Sequence, residues 1–484
     1  MAMMLALVST MMAQITTSAL SGKVTMQDTK EEVIGASVQV VHDQSGMKYA
    51  TVTNIDGRFS IQGMRNGGPY TVTVSYIGYE TKTFKEIYLD LGETYNLQVW
   101  LSENSNELTE VVVSGKASKF TAEKTGASTN VNNATIRELP TINRSITDIA
   151  RLSPYANGMG FSGGDGRSTN FTLDGANMNN NFGLSSNLPG GGTPISMEAL
   201  DEVQMVVAPY DVRQSNFIGG GINAVTKSGT NTFRGTAYMY YNNENMRGNR
   251  IDNKELAARE QDRLTTYGFT LGGPILKDKL FFFVNYEGSK KPTTVNRWRG
   301  SEDGVGDRQQ YISRTKLSDL ERTRQFLLKN YNYDPGSYTD FPADITNNKF
   351  LARIDWNIAR NHRLAVRFNH TINKTWNNPN GSSADVGYRL NGTYRMGEQS
   401  MAFSNSLYSM DNKITTVSAD LNSRFSDKLS NQFLFTYSDI QDVRGSDSSL
   451  FPFVPAQSTA FRPRTANRAW RARRASLQRR AART

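Results

Sequence analysis

From residue 348 to 371, and again from 429 to 438, apolar and polar side chains alternate along the chain. Ile354 and Trp356 oppose Arg353, Asp355 and Asn357. His362, Leu364, Val366 and Phe368 oppose Arg363, Ala365, Arg367 and Asn369, and Phe433, Phe435 and Tyr437 oppose Gln432, Leu434 and Thr436. A period of two belongs to extended strands, whose successive side chains point to opposite faces. Apolar-out, polar-in alternation with aromatic ends is the pattern of a transmembrane β-barrel wall. About seven stretches fit it, near 232–241, 264–273, 279–288, 348–357, 362–371, 414–424 and 429–438. Long connections at 289–347 and 372–413 alternate with short turns such as Ala359–His362, as barrel loops and turns do.

Composition narrows the alternatives. Only 37% of the 484 residues are hydrophobic and the mean hydropathy is −0.53. Past the first twenty residues no apolar run approaches the roughly 20 residues of a spanning helix, which excludes a helical membrane bundle. There is no cysteine, so disulfides and thiolate metal sites are excluded. His42, His362 and His370 are scattered without metal-ligand spacing. No nucleophile, metal set or paired-carboxylate constellation is present, so neither an enzyme nor a cofactor is expected. The net charge of +10 is local: nine arginines and no acidic residue lie from Phe461 onward, leaving about +1 elsewhere, which disfavours nucleic acid as a partner.

The first residues, MAMMLALVSTMMAQ, read as the core of a secretory signal cut after Ala13, although no Lys or Arg precedes the apolar run. Residues 19–102 read as a β-sandwich, with short runs rich in Val, Thr and Tyr at 37–41, 49–53, 58–61, 70–76 and 95–101. Asp56-Gly57 between them is a hairpin turn rather than a calcium loop, since only Asp56 could supply a carboxylate there. The segments SGKVTMQDTKEEVIGASVQV, TNIDGRFSI and YTVTVSYIGYET resemble the carboxypeptidase-regulatory-like domain. That resemblance implies a prealbumin-like sandwich of the carbohydrate-binding-like class, without peptidase residues.

Three valines follow in ELTEVVVSG, at 107–115, too short a β-prone run to build its own sheet but able to add to the edge of another. A linker strand packing on its own sandwich is the simpler alternative. Residues 116–230 mix short helix and strand signals, including a capping box that starts a helix over 145–152 with Ile146, Ile149 and Leu152 on one face. The glycine runs at 162–168, 189–193 and 218–222 lack the residues of a phosphate cradle and read as turns and close packing.

The successive segments TIRELPTINRSITDIARLSPYANG, RSTNFTLDGANMNNNFG, MEALDEVQMVVAPYDVRQSNFIGGGINAVTKSGTNTFRGTAYMYYNN and GFTLGGPILKDKLFFFVNYEG resemble, in order, the plug and first wall strands of Oar-like TonB-dependent outer-membrane receptors, relatives of SusC-type importers. The resemblance implies a mainly β protein: sandwich at 19–102, TonB box at 107–115, α/β plug at 116–230 and partial barrel at 231–450. It implies TonB-energised import of a glycan, peptide or metal chelate across the outer membrane, with sandwich and box in the periplasm and a surface lipoprotein as a further partner. Glu107, Leu108, Thr109, Glu110, Val111, Val112 and Val113 would meet TonB, and Arg167, Asp174, Asn177, Asn179 and Asn180 would meet ligand. A surface adhesin is the alternative of another class, but it needs no pullable strand. The family closes its wall with about 22 strands. Seven are found, and from 451 to 484 alternation gives way to an Arg- and Ala-rich tail that reads as a shifted frame, so an incomplete wall is the expectation.

Overall fold

The computed structural model describes residues 15–103, 111–114, 127–378 and 396–457, apart from 140, 142–143, 180–187, 190, 208–213, 215–217, 247, 249, 253, 256–262, 294, 340, 342, 427–428, 447 and 449–455. The expected signal segment, residues 107–110 of the box, Asn180 and most of the basic tail therefore lie outside the described residues.

Strands β1 (Ser18–Met26), β2 (Ser37–His42), β3 (Met47–Val52), β4 (Arg58–Met64), β5 (Gly67–Ser75), β6 (Lys82–Leu89) and β7 (Thr94–Leu101) make two facing sheets. One has the order β4-β1-β7; the other runs β3-β2-β5-β6 and gains β8 (Val111–Ser114) at its edge. Alternate residues of both sheets meet in one core, among them Leu20, Val24, Ile61, Val38, Val72 and Val99. Two strands lay outside the sequence reading. In β1 the apolar pattern is broken by Ser21, Gly22 and Lys23, although the strand itself is continuous. β6 carries a bulge with Glu86 at φ 61, so Phe84 and Ile87, three apart, both turn inward and the period of two is lost. The Asp56-Gly57 turn is closed by Asn54, whose Oδ1 accepts from Asp56 N at 3.0 Å and Arg58 N at 2.8 Å.

The next unit is an interior sheet with two short helices. Strands β9 (Ala127–Asn132), β10 (Asn170–Leu173), β11 (Ala176–Asn177), β12 (Leu200–Val207) and β13 (Gly221–Thr226) lie in the order β11-β10-β13-β12-β9. The helices are α1 (Asn133–Glu138) and α2 (Ile146–Ala150). α2 begins with the expected capping box, Asp148 accepting from Ser145 N at 3.3 Å. It stops at Ala150, two residues short of the expected end, so Leu152 leaves the buried face.

The wall is a seven-stranded antiparallel meander: β14 (Arg234–Asn242), β15 (Leu264–Leu276), β16 (Leu280–Lys291), β17 (Ile345–Ala359), β18 (His362–Asn377), β19 (Tyr408–Arg424) and β20 (Ser430–Gly445). All seven stand where the alternation put them. Tyr267, Phe269, Ile354, Trp356, Phe368 and Phe435 form an exposed outer face, while Arg353, Asp355, Arg363, Arg367, Asn369 and Asp420 are buried on the other. Among the described residues the sheet does not close on itself. The interior sheet lies in its concave polar side, anchored where Phe283, Leu351 and Ile414 of the wall join the interior core of Phe171, Leu173, Val203 and Ile222.

One end of the wall has short turns, such as 277–279 and 360–361; the other has long connections. The long connections are partly structured. Helix α3 (Leu317–Tyr331) buries Leu320 and Leu327, and Leu320 packs with Trp298, Phe341, Met401 and Phe403 in a separate apolar core. The sequence reading treated this region as loop, because its apolar residues come from three distant segments and show no joint periodicity.

Candidate functional site

The seam between interior sheet and wall is centred on Asp174. Asp174 and Gly175 are the two central residues of the β10–β11 hairpin, with φ 50 and φ 79, the left-handed pair a two-residue turn requires. This conformation drives the Asp174 carboxylate into the interior, where Oδ1 accepts from Thr226 N at 3.0 Å and Oδ2 from Thr226 Oγ1 at 2.7 Å. Two wall guanidiniums face it, Arg367 with Nε at 3.3 Å and Arg353 with Nη1 at 3.8 Å. All three side chains are nearly sealed from solvent, at 3%, 5% and 7% exposure for Asp174, Arg367 and Arg353.

The wall cations have partners of their own. Arg353 grips Asp355 with two hydrogen bonds of 2.8 Å, and its Nη1 also donates to Thr226 O. Arg367 reaches Asp420 at 3.9 Å, and its Nε lies near Asp174 without the alignment of a hydrogen bond. For Arg353 the tighter ion pair is the wall one, with Asp355, whereas for Arg367 the nearer carboxylate is Asp174 across the seam, at 3.3 Å against 3.9 Å for Asp420. Each wall cation thus also has a carboxylate on the wall itself, Asp355 for Arg353 and Asp420 for Arg367. Separation strands no cation, which lowers the cost of opening a buried charged interface.

Two smaller contacts repeat the arrangement. Wall Glu287 accepts from interior Ser196 at 2.8 Å, and from wall Tyr238 at 2.9 Å and Lys349 at 2.7 Å. The 189–193 turn meets the wall through Asn347 Nδ2 to Thr193 Oγ1 at 2.9 Å and Thr371 Oγ1 to Pro194 O at 2.8 Å. Gly191, at φ 70, approaches so closely that a Cβ there would lie 2.7 Å from Asn373 Nδ2. At Gly191 this is the close packing read from the sequence, whereas Gly192, at φ 86 with nothing within 4 Å, serves the turn.

The sandwich sits against the short-turn end of the wall and against the interior sheet. Glu202 of β12 is the pivot: it accepts from Leu91 N at 2.8 Å, Asn130 Nδ2 at 2.9 Å and Asn66 Nδ2 at 3.1 Å. Burial pushes its carboxyl up to about 8, and the three donors only partly offset this. Nearby Lys227 is pushed down to about 8, mainly by burial and secondly by Arg137.

The residues singled out from the sequence do not form one cluster. Arg167 is half exposed and pairs with Asp165 at 2.9 Å in its own loop. Asp174 holds the seam. Asn179, just past β11, ties the chain back to β10, accepting from Phe171 N at 2.6 Å and donating to Asn170 Oδ1 at 2.8 Å. Asn177 accepts from Asn179 N at 2.8 Å and offers its carbonyl to Ser438 at 3.2 Å. Val111, Val112 and Val113 form β8, lying parallel to β6 with Val111 opposite Lys82 and Val113 opposite Phe84. The sequence reading placed Arg353, Asp355 and Arg367 on the polar face of wall strands but assigned them no role. Glu202 and Leu91 gave no local signal, because their contact spans more than a hundred residues.

An outer apolar belt, a charged concave face and a sheet held within it define an outer-membrane β-barrel protein. The chain belongs to that family: residues 225–476 match the outer membrane beta barrel domain, and residues 19–102 match the carboxypeptidase regulatory-like domain. It is similar to the TonB-dependent transporter Oar of Myxococcus xanthus, 25% identical over 347 residues, covering 67% of this chain and 30% of that protein. Among solved structures it is similar to the outer membrane transporter YddB from Escherichia coli, with TM-score 0.45 and 14% identity over 66% of this chain and 40% of that one. It is also similar to the siderophore receptor PirA from Pseudomonas aeruginosa, with TM-score 0.41 and 13% identity over 66% and 42%. The chain thus spans well under half the length of these relatives.

Proposed function

We propose that this chain is part of a TonB-energised importer of the outer membrane, in which the interior sheet is the plug and the Asp174 seam is its releasable contact. The observation that carries the reading is the seam itself, charged and buried yet arranged so that each wall cation keeps a wall carboxylate when the sheet departs. A permanently closed wall would be better served by apolar packing, which is often as stable as a buried ion pair or more so. The short-turn end, with sandwich and β8, then faces the periplasm, and the long connections with α3 face outward. TonB captures 107–115, and ligand meets the long connections and the exposed Arg167 loop; the cargo is a large nutrient such as a glycan, peptide or metal chelate. No covalent chemistry belongs to this protein. Deleting 107–115 from the receptor at its own locus should abolish energised uptake across a panel of these nutrients while outer-membrane assembly persists. Undiminished uptake by that deletion would sink the reading.

A further inference from the structure

The sandwich is bound to both other units at the short-turn end. Thr16, just before β1, donates to wall Asp420 at 2.6 Å, Arg424 donates to Ala50 O at 2.8 Å, and Asn231 N donates to Gln44 O at 2.8 Å. Toward the interior sheet, Leu91 O accepts from Gln204 at 2.6 Å and from Asn130 at 3.1 Å, and Leu91 N is held by Glu202. Among the described residues a small apolar cluster, Ile15, Leu91 and Val225, backs these bonds. A docking surface so dominated by hydrogen bonds resembles a separable interface rather than a core. Leu91 follows β6 by two residues, and β6 is the strand along which β8 is paired. Among the described residues β8 ends the order β3-β2-β5-β6-β8.

We infer that the sandwich is a lid on the periplasmic mouth, and that an energising partner pulling on β8 draws this lid off before the interior sheet moves. This rests on the import reading above. Tension on β8 then enters the sandwich sheet and reaches Leu91, the point at which the sandwich holds Glu202 and Gln204 of the interior sheet. The lid parts from the mouth as the first event, and the Asp174 seam opens after it.

These 484 residues hold no native cysteine, so an introduced thiol has no competitor among them. Thr17 is 6% exposed and lines a cavity between sandwich and wall, whereas Ile55 on the sandwich surface is 77% exposed. In cells carrying the receptor from its own locus, Thr17→Cys should react with a membrane-impermeant maleimide several-fold faster when the inner membrane is energised than after a protonophore. Ile55→Cys should react equally in both states. Thr230→Cys, 8% exposed in the neighbouring cavity, repeats the measurement from the wall side if the first variant assembles poorly. Labelling at the de-energised rate in both buried variants overturns the lid. If the same cells still import nutrient, the transport reading stands without it; if they do not, both fall.

Discussion

Asp174→Asn isolates the charge at the seam. Asparagine accepts the left-handed φ of 50 as readily as aspartate and keeps an acceptor for Thr226, so backbone and one hydrogen bond survive. What is lost is the anion 3.3 Å from Arg367, an attraction of about 5 kcal/mol at an effective dielectric of about 20. Arg367 retains Asp420 at 3.9 Å and Arg353 retains Asp355, so the net loss should be nearer 3 kcal/mol, the low end for breaking a buried pair. With a urea slope of about 2 kcal/mol per molar, the midpoint for loss of the interior sheet falls by about 1.5 M. Pulse proteolysis of the detergent-solubilised protein across a urea series reads that midpoint, since a released sheet is cut and a seated one is not. Asp165→Asn, which breaks the exposed pair with Arg167, should leave the midpoint in place. Equal midpoints for Asp174→Asn and the parent protein would refute the assignment of Asp174 as the seam's charge anchor.

Four further outcomes follow from the geometry. Glu202 binds its proton more tightly in the folded protein than in the unfolded one, so its contribution is full below pH 4.5 and is lost as pH rises through about 8. Lys227 acts oppositely above about 8, where the unfolded chain alone keeps the proton, so stability against urea should pass through a minimum near pH 8. Glu202→Gln should flatten the acid-side slope of that profile; an unchanged slope would assign it to other groups. Gly191→Val places a side chain at φ 70 against Asn373 and should cost about 1–3 kcal/mol in the same urea assay, while Gly192→Ala, with nothing within 4 Å, should cost less. Ile354→Lys puts a charge on the outer face and should reduce insertion into lipid vesicles by about 2–4 kcal/mol at mid-depth, measured by heat-modifiable mobility; an unaffected variant would contradict a lipid-facing position. Residues 15–103 expressed alone should melt cooperatively by circular dichroism, because β1 to β7 and the core they share lie within this stretch and only the edge strand β8 lies outside it; a random-coil spectrum would count against an independent unit.

What the sequence determined by itself was everything local. Alternation along residues 353–357 and 363–369 specified strands and which face of each is polar, because a period of two is written into neighbouring residues. The Ser145 capping box and the Asp56-Gly57 turn were legible for the same reason, each being a hydrogen-bonded unit a few residues long. What failed locally was β6, where a bulge at Glu86 shifts the phase, and the apolar core around Trp298, assembled from segments a hundred residues apart. The role of each charge was decided only in three dimensions. Arg353 reads identically as any lumen-facing arginine until Asp355 is seen to hold it from two residues away and Asp174 to approach it across the seam. Likewise the sequence left Val111–Ser114 open between a strand offered to another protein and a linker strand on its own sandwich, and it took the fold to lay it along β6, since a strand this short acquires its partner from whichever edge the tertiary structure brings beside it.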